Sequence, residues 1–323
     1  MAADSHNPAF ISHAWIFRSA SFQSCHASTI VETPSGLVAG WFAGTKEGHP
    51  DVGIWISRSI MGAGWTPPIE VASGLQESGI RYPCWNPVLF QFPGGALVLF
   101  YKVGPSPREW WGMTLRSSDG GESWSPPTQL PDGVLGPVKN KPVLLGNGLL
   151  VCPSSTETGG RWQVHLEMTC DECQSWSLVE PLNDPEQLAV IQPTILAHSR
   201  TLLQILCRSK QKVIVESWSQ DGGQSWQPMR LTCLPNPDSG IDAVRLQDGR
   251  SLLVYNPTAR RRTPLTLAVS EDGLLWRDIL TLEDQPGEYS YPAVIQSSDG
   301  LVHITYTWRR QRISHAILDP AML

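Results

Sequence analysis

Ser117-Ser118-Asp119-Gly120-Gly121-Glu122-Ser123-Trp124 is a tight turn followed by a tryptophan, and its pattern, Ser-x-Asp-x-Gly-x-x-Trp, recurs at Ser219-x-Asp221-x-Gly223-x-x-Trp226. It recurs in damaged form at Thr169-x-Asp171-x-Cys173-x-x-Trp176, and one residue shorter at Ser270-Glu271-Asp272-Gly273-Leu274-Leu275-Trp276. Self-similarity at about 50 residues is the signature of a propeller or solenoid. The chemistry of the pattern is structural. The aspartate accepts turn amide hydrogens, glycine supplies the left-handed backbone position, and the indole packs the hairpin against its own sheet. These boxes describe how the chain is built, not what it acts on.

A second repeat surrounds the first. Six segments open at His26, Asn86, Lys141, Gln192, Asp242 and Tyr291, spaced 60, 55, 51, 50 and 49 residues apart. Each begins with a polar or ring residue, runs through a short apolar strand, turns at Gly or Ser, and returns as a second apolar strand. Two such strands before each box hairpin make about four strands per unit. Six units then predict an all-β fold, a six-bladed β-propeller with Asp-box hairpins, as a single domain over residues 1–323. The last unit has no box, so Ala14-Trp15-Ile16-Phe17 is expected to supply its outer strand and close the ring.

Composition agrees. The 323 residues include 28 Gly and 27 Pro, while only 17% are charged, which suits short strands joined by tight turns. No apolar run reaches a membrane-spanning length. The start, Met1-Ala-Ala-Asp-Ser-His-Asn-Pro, lacks the basic and apolar stretches of a secretion signal. The seven cysteines are scattered, and Cys170-x-x-Cys173 has neither a second pair nor a nearby His. Reduced thiols and a cytoplasmic setting are therefore expected, with no metal and no cofactor. A net charge of −6 argues against nucleic acid as a partner.

In an antiparallel blade the start of the inner strand and the end of the second strand lie at one end. One face should therefore gather His26, Trp85 with Asn86, Lys139 to Lys141, Gln192, Asp242 and Tyr289 to Tyr291. Lys46 to Asp51, Lys102, Glu157, Arg208, Asn256, Arg260 to Arg262, and Trp308 with Arg309 should join them. The box turns fall at the opposite end. A loop at Pro105-Ser-Pro-Arg-Glu-Trp110-Trp111 adds two adjacent indoles suited to stacking on a sugar, or to covering blade two.

With its Asp boxes, six repeats and strand-start pattern, the whole chain resembles the sialidase (neuraminidase) superfamily in its non-viral, BNR-repeat branch. The resemblance implies an exo-acting glycoside hydrolase that removes a terminal acidic sugar, sialic acid or a related ulosonic or uronic acid, from an acidic oligosaccharide or glycoconjugate. It implies an arginine triad on the substrate carboxylate, a tyrosine nucleophile assisted by a glutamate, and an aspartate acid/base. Arg208 matches the second arginine. The third falls among Arg260, Arg261 and Arg262. The nucleophile falls in Glu288-Tyr289-Ser290-Tyr291, with Tyr291 ahead of Tyr289 by strand register. The acid/base falls among Glu47, His49 and Asp51. Two positions depart from the pattern: the first arginine is His26, and the assisting glutamate is Gln192. Glu288, next to Tyr289, is a candidate to replace the lost carboxylate. Asn86, Lys141, Gln192, Asp242, Arg260, Arg262 and His49 are expected to bind substrate. Two other readings stay open: a polysaccharide lyase that neutralises a uronate and abstracts a proton through His26 or His49 with Tyr291, and a non-catalytic glycan-binding propeller.

Overall fold

The computed structural model describes residues 7–60 and 64–323. Met1 to His6, which carry most of the reading of the chain start, lie outside them. Six antiparallel sheets stand in a ring. Their inner strands are Ser24–Thr33, Cys84–Gln91, Val143–Leu144, Val190–Ala197, Asp242–Arg245 and Tyr289–Gln296. Five sheets have four strands, and the first has a fifth, Ile69–Ala72, paired to its third strand. The fold is the expected six-bladed propeller.

The second strand of each blade is sandwiched between neighbouring sheets and reads as a continuous apolar run; Leu203–Ser209 is buried along its whole length. Outer strands such as Arg230–Pro235 are mostly exposed. Neighbouring sheets share apolar layers, for example Val254, Leu267, Val294 and Ile304 between blades five and six. Ring closure comes from the strand Phe10–Trp15, which pairs antiparallel with Arg312–Leu318, Phe10 opposite Leu318 and Trp15 opposite Ser314. That strand lies slightly earlier than the expected Ala14 to Phe17. Ile16 and Phe17 leave it and bury themselves between blades six and one with Trp41. Closure of this kind protects the sheet edges.

The boxes behave alike despite their damage. Asp119 accepts the amides of Glu122 and Ser123 at 3.0 and 2.9 Å, and Ser117 Oγ accepts from Gly121 N at 2.8 Å. Gly121, Gly223 and Gly273 all have φ between 77° and 91°, and Cys173 holds the same conformation at φ 73°. Cys173 therefore shows that the fold tolerates strain at this turn where glycine is absent. A Cβ on Gly120 would meet Ser35 Oγ, in the inner hairpin turn of blade one, so this box lies at the end opposite the strand starts.

Beneath the mouth of the ring, Asp242 ties four blades together. Its Oδ1 accepts from Thr194 Oγ1 at 2.8 Å and from Ala243 N at 2.9 Å, and its Oδ2 accepts from Val294 N at 2.8 Å. Lys141 Nζ reaches both oxygens, at 3.0 and 2.9 Å. Lys139 does similar work beside it, donating to Asn140 Oδ1, Ile241 O and Pro292 O. Burial pushes the Lys139 ammonium down to about 7.

Blade six carries a buried histidine chain. His303 Nδ1 lies 3.0 Å from His315 Nε2, and Trp65 Nε1 lies 3.2 Å from His315 Nδ1. His13, on the closing strand, sits 2.6 Å from Ser314 Oγ and 2.8 Å from Tyr306 Oη. Burial lowers all three, His13 to about 4 and His315 to about 3. The folded protein therefore prefers them neutral. Their stabilising contribution is complete above the free-histidine value near 6.5 and is lost as pH falls towards 3. The urea midpoint is expected to be clearly lower at pH 5 than at pH 8, and His315→Asn should shrink that difference. Equal midpoints would contradict the neutral-histidine account.

Candidate functional site

The inner strands of blades one, two, four and six share one irregularity. Between His26 and Thr29, Trp85 and Val88, Ile191 and Thr194, and Ser290 and Ala293, the inner strand has one residue more than its partner. The first extra residue is left-handed in each case: Ala27 at φ 57°, Asn86 at 40°, Gln192 at 55° and Tyr291 at 52°. Such bulges re-aim side chains, and four of them ring the axis here. A left-handed tyrosine is a costly conformation that the surrounding sheet must hold. The bulge also corrects the repeat alignment: Ala27, not His26, is the counterpart of Asn86, Gln192 and Tyr291, and His26 stands one place earlier.

Tyr291 is the centre of the group. Arg208 donates a hydrogen bond from Nη1 to its phenol oxygen. The Arg208 and Arg262 guanidinium carbons each lie 5.5 Å from its ring centre, and the His26 ring centre lies 4.1 Å away. Arg208 also stacks 5.0 Å from Trp162, and its Nε faces Asp238 Oδ1 at 3.3 Å. Glu157 shares the electrostatic neighbourhood of Arg208. Burial raises the carboxyls of both Glu157 and Asp238 above their usual range, and Arg208 only partly opposes it. His26 is buried, with Nδ1 3.0 Å from Thr307 Oγ1. Burial first, then the charges of Arg310, Arg262, Arg208 and Lys139, hold it well below 6.5, so it is neutral.

A second cationic group adjoins the first. Glu288 Oε1 accepts from Arg262 Nη1 and Arg310 Nε, both at 2.8 Å, and Arg310 also pairs with Glu47. Burial would raise Glu288, but Arg310 and Arg262 outweigh it and hold the carboxylate below its usual value. Arg310 O accepts from Cys25 N at 2.8 Å, which fixes the blade-six hairpin beside blade one. Arg208 and Arg262 thus flank Tyr291, and all three guanidiniums, Arg208, Arg262 and Arg310, act on His26. Two polar side chains stand at the bulges. Gln192 is 3% exposed, and its Oε1 is buried with no hydrogen-bond partner. Asn86 is 6% exposed, and its amide is not among the fully buried groups that lack a partner. A buried polar atom without a partner is uncommon, and Gln192 Oε1 is one that stands at the mouth of the ring.

The remaining candidates have other occupations. Lys141 and Asp242 bind each other, one level below the bulges: Asp242 joins Thr194 and Val294, which both lie beyond the extra residues. Asp51 accepts from Thr45 N at 3.0 Å and Thr45 Oγ1 at 2.5 Å, and His49 Nδ1 lies 2.7 Å from it. Burial opposes ionisation of Asp51, but the Thr45 hydrogen bonds prevail and lower it, so His49 and Asp51 form a braced turn. Arg260 is exposed, whereas Arg262 turns to the axis. Tyr289 is buried, with its phenol 3.2 Å from Arg309 Nη2, away from Arg208. Lys102 is fully buried and donates to Pro137 O. The residues that sequence reasoning missed are Arg310, Asp238, Trp162 and Thr307. Asp238 was hidden in Asn236-Pro237-Asp238-Ser239-Gly240, which reads as an ordinary turn.

A ring of six sheets with Asp-box hairpins and an arginine-rich mouth defines the architecture of a sialidase-like propeller. Residues 35–304 match the BNR repeat-like domain, and the chain belongs to that family. Among solved structures, a protein of unknown function from Dyadobacter fermentans superposes with a TM-score of 0.79 at 18% identity, covering 97% of this chain and 99% of that one. A Hadza microbial sialidase gives 0.79 at 17% identity, covering 93% and 66%. The NanB sialidase of Streptococcus pneumoniae gives 0.76 at 13%, covering 98% and 71%. The chain thus spans about two thirds of the length of these two sialidases. No curated protein sequence matches it.

Proposed function

We propose that the chain is an exo-acting glycoside hydrolase that removes a terminal acidic sugar, of the sialic, ulosonic or uronic class, from a glycan. The observation that carries this reading is the convergence of Arg208 and Arg262 on Tyr291, with the Arg310–Glu288 pair adjoining, beside Gln192, whose Oε1 is buried without a partner. Planar forks recognise carboxylates in two-point fashion. A sugar carboxylate at Arg208 would take the place now held by Asp238, and neutral His26 leaves room for it where a charged group would add to the cationic crowd. Gln192 and Asn86 would meet ring hydroxyls or an acyl amide. Arg208 already donates to the Tyr291 phenol oxygen, so the phenol proton is available to another acceptor as charge develops at the anomeric carbon. The proton donor is drawn from Glu157 and Asp238, which burial keeps protonated to higher pH than Asp51 or Glu288. The bond from the anomeric carbon to the leaving oxygen breaks as that oxygen takes the proton. Water adds its hydroxyl to the carbon, and its other proton restores the acid.

The test is a panel of terminal sialosides, ulosonides and hexuronides incubated with the purified protein. Release of free acidic sugar supports the proposal, and no release from any of them removes it. Glu157→Gln is expected to lower kcat/KM by about 10²–10⁴ on natural leaving groups, and much less on aryl glycosides whose leaving group needs no proton. Because an acid must be protonated to act, kcat/KM should fall as pH rises through its raised value, and the variant should lose that alkaline limb. An unchanged profile would exclude Glu157 as the donor.

One observation favours a second reading. Among the described residues no carboxylate bonds either phenol, while neutral His26 lies against Tyr291. That pair suits proton abstraction beside a neutralised uronate, the lyase reaction. Growth of ultraviolet absorbance from an unsaturated uronate product would choose it over hydrolysis.

A further inference from the structure

We propose that Thr307 is a positioning residue that holds His26 with its ring proton on Nε2, so that His26 braces Tyr291 and does not serve as a proton acceptor in the site. The place of the proton follows from local geometry; what it means for the chemistry rests on the glycoside reading above.

Thr307 stands where two of the four bulges meet. It lies on the second strand of blade six, Val302–Trp308, opposite Ser290, the residue before the left-handed Tyr291. Its Oγ1 faces blade one, where Ala27, the extra residue of that bulge, donates its amide at 3.2 Å. His26 Nδ1 lies 3.0 Å from the same oxygen. Both Thr307 and His26 are fully buried. A threonine hydroxyl has one proton to give and two lone pairs to receive with. An amide N–H only donates, so Ala27 occupies one lone pair. If Nδ1 carried the ring proton, the oxygen would receive two donors, and its own proton would need a third partner in the interior. If Nδ1 is bare, it accepts the hydroxyl proton, and every donor at the junction is placed. The bond made by one ring nitrogen decides which nitrogen is protonated, so the proton of neutral His26 goes to Nε2. A second ring proton is opposed by burial and by the charges of Arg310, Arg262, Arg208 and Lys139.

The one lone pair of His26 able to take up a proton is therefore engaged by Thr307. A general base must offer its lone pair within hydrogen-bond reach of the proton it abstracts, and Nδ1 faces the second strand of blade six instead. What remains for His26 is support. Its ring centre lies 4.1 Å from that of Tyr291 and 5.6 Å from that of Phe42. Tyr291 also packs on Gly240, where a Cβ would come within 3.1 Å of its Cγ and Cδ2. A left-handed tyrosine needs such bracing. Hydrolysis at this site would then draw its proton transfers from the carboxyls and the phenol, and a lyase reaction would leave abstraction to Tyr291 alone.

The experiment reads the ring nitrogens directly. Two-bond proton–nitrogen correlation spectra are recorded on the full chain, labelled with nitrogen-15 in its eight histidines, with His26 assigned through its backbone amide. In the native protein Nδ1 is expected at the shift of an unprotonated nitrogen and Nε2 at that of a protonated one. Thr307→Ser keeps the hydroxyl and should keep this pattern. Thr307→Val keeps the shape without the hydroxyl and should lose it. A protonated Nδ1 in the native protein would overturn the proposal, as would an unchanged pattern in folded Thr307→Val. Should Thr307→Val fail to fold, the native and Thr307→Ser spectra decide alone. Turnover supplies the second readout. His26→Gln, whose amide takes up no proton, should lower kcat/KM by no more than ~10-fold, against the roughly 10²–10⁴-fold cost of a lost general base. A loss of the larger size at a native thermal midpoint would restore His26 as the base and overturn the proposal. The spectra need no substrate, so a native Nε2–H pattern without cleavage of any acidic glycoside would keep the Thr307 assignment and remove the hydrolase.

Discussion

Replacing Arg208 with Met is expected to lower kcat/KM on an acidic glycoside by about 10²–10³, the usual cost of removing one preorganised group that stabilises developing charge. The effect should be this large because Arg208 has several functions at once. It donates to Tyr291, faces Asp238 and stacks on Trp162. Arg262 and Arg310 cannot replace it, since both are committed to Glu288. The loss should be specific to the acidic sugar. A neutral analogue that lacks the carboxylate should bind the native protein and the variant alike. Circular dichroism and the thermal midpoint should stay near native, because Asp238 is partly exposed and can be hydrated when its partner goes. A variant that retains full turnover would remove the arginine from the account.

Asp242→Ala is expected to destabilise the fold by about 3–5 kcal/mol, the range for removing one partner of a buried ion pair. The carboxylate is 1% exposed and accepts from Thr194, Val294, Ala243 and Lys141. Its removal strands a lysine and a main-chain amide at the centre of the ring, where water has poor access. Stability of this kind belongs to the whole ring, so the unfolding midpoint should fall for all blades together. Lys141→Met should be milder, because the Asp242 oxygens keep three other donors. The double variant Asp242→Leu with Lys141→Met should recover part of the loss. If Asp242→Ala unfolds at the native urea midpoint, Asp242 is free to serve substrate instead.

The propeller was legible because its signals are local. A box turn needs Asp and Gly at fixed offsets, and a sandwiched strand needs a run of apolar residues; both survive in the letters of the chain. Even Cys173 in place of glycine did not hide its box, since Asp171 and Trp176 kept their spacing. Depth along the axis was not legible. Asp242 and Gln192 both open a strand in sequence, yet a bulge lifts Gln192 to the mouth while Asp242 lies below it. Nothing about Ala27 announces a left-handed residue, so blade one was aligned on His26, one place out of register. Arg310 was hidden for a different reason. Trp308 and Arg309 are expected at the mouth, but Trp308-Arg309-Arg310-Gln311-Arg312 does not say which guanidinium faces the site, and only the approach of blade six to blade one brings Arg310 onto Glu288 and Glu47. Long-range pairing of this sort has no short-range mark.

The most direct measurement is calorimetric titration of the native protein and Arg208→Met with free N-acetylneuraminate, a 3-deoxy-ulosonate and glucuronate, beside glucose as the neutral control. At least one acidic sugar is expected to bind the native chain saturably, and that binding should be lost in the variant. Failure of every acidic sugar to bind, or equal binding by the variant, would contradict the claim that the arginine-lined mouth is built to hold a saccharide carboxylate.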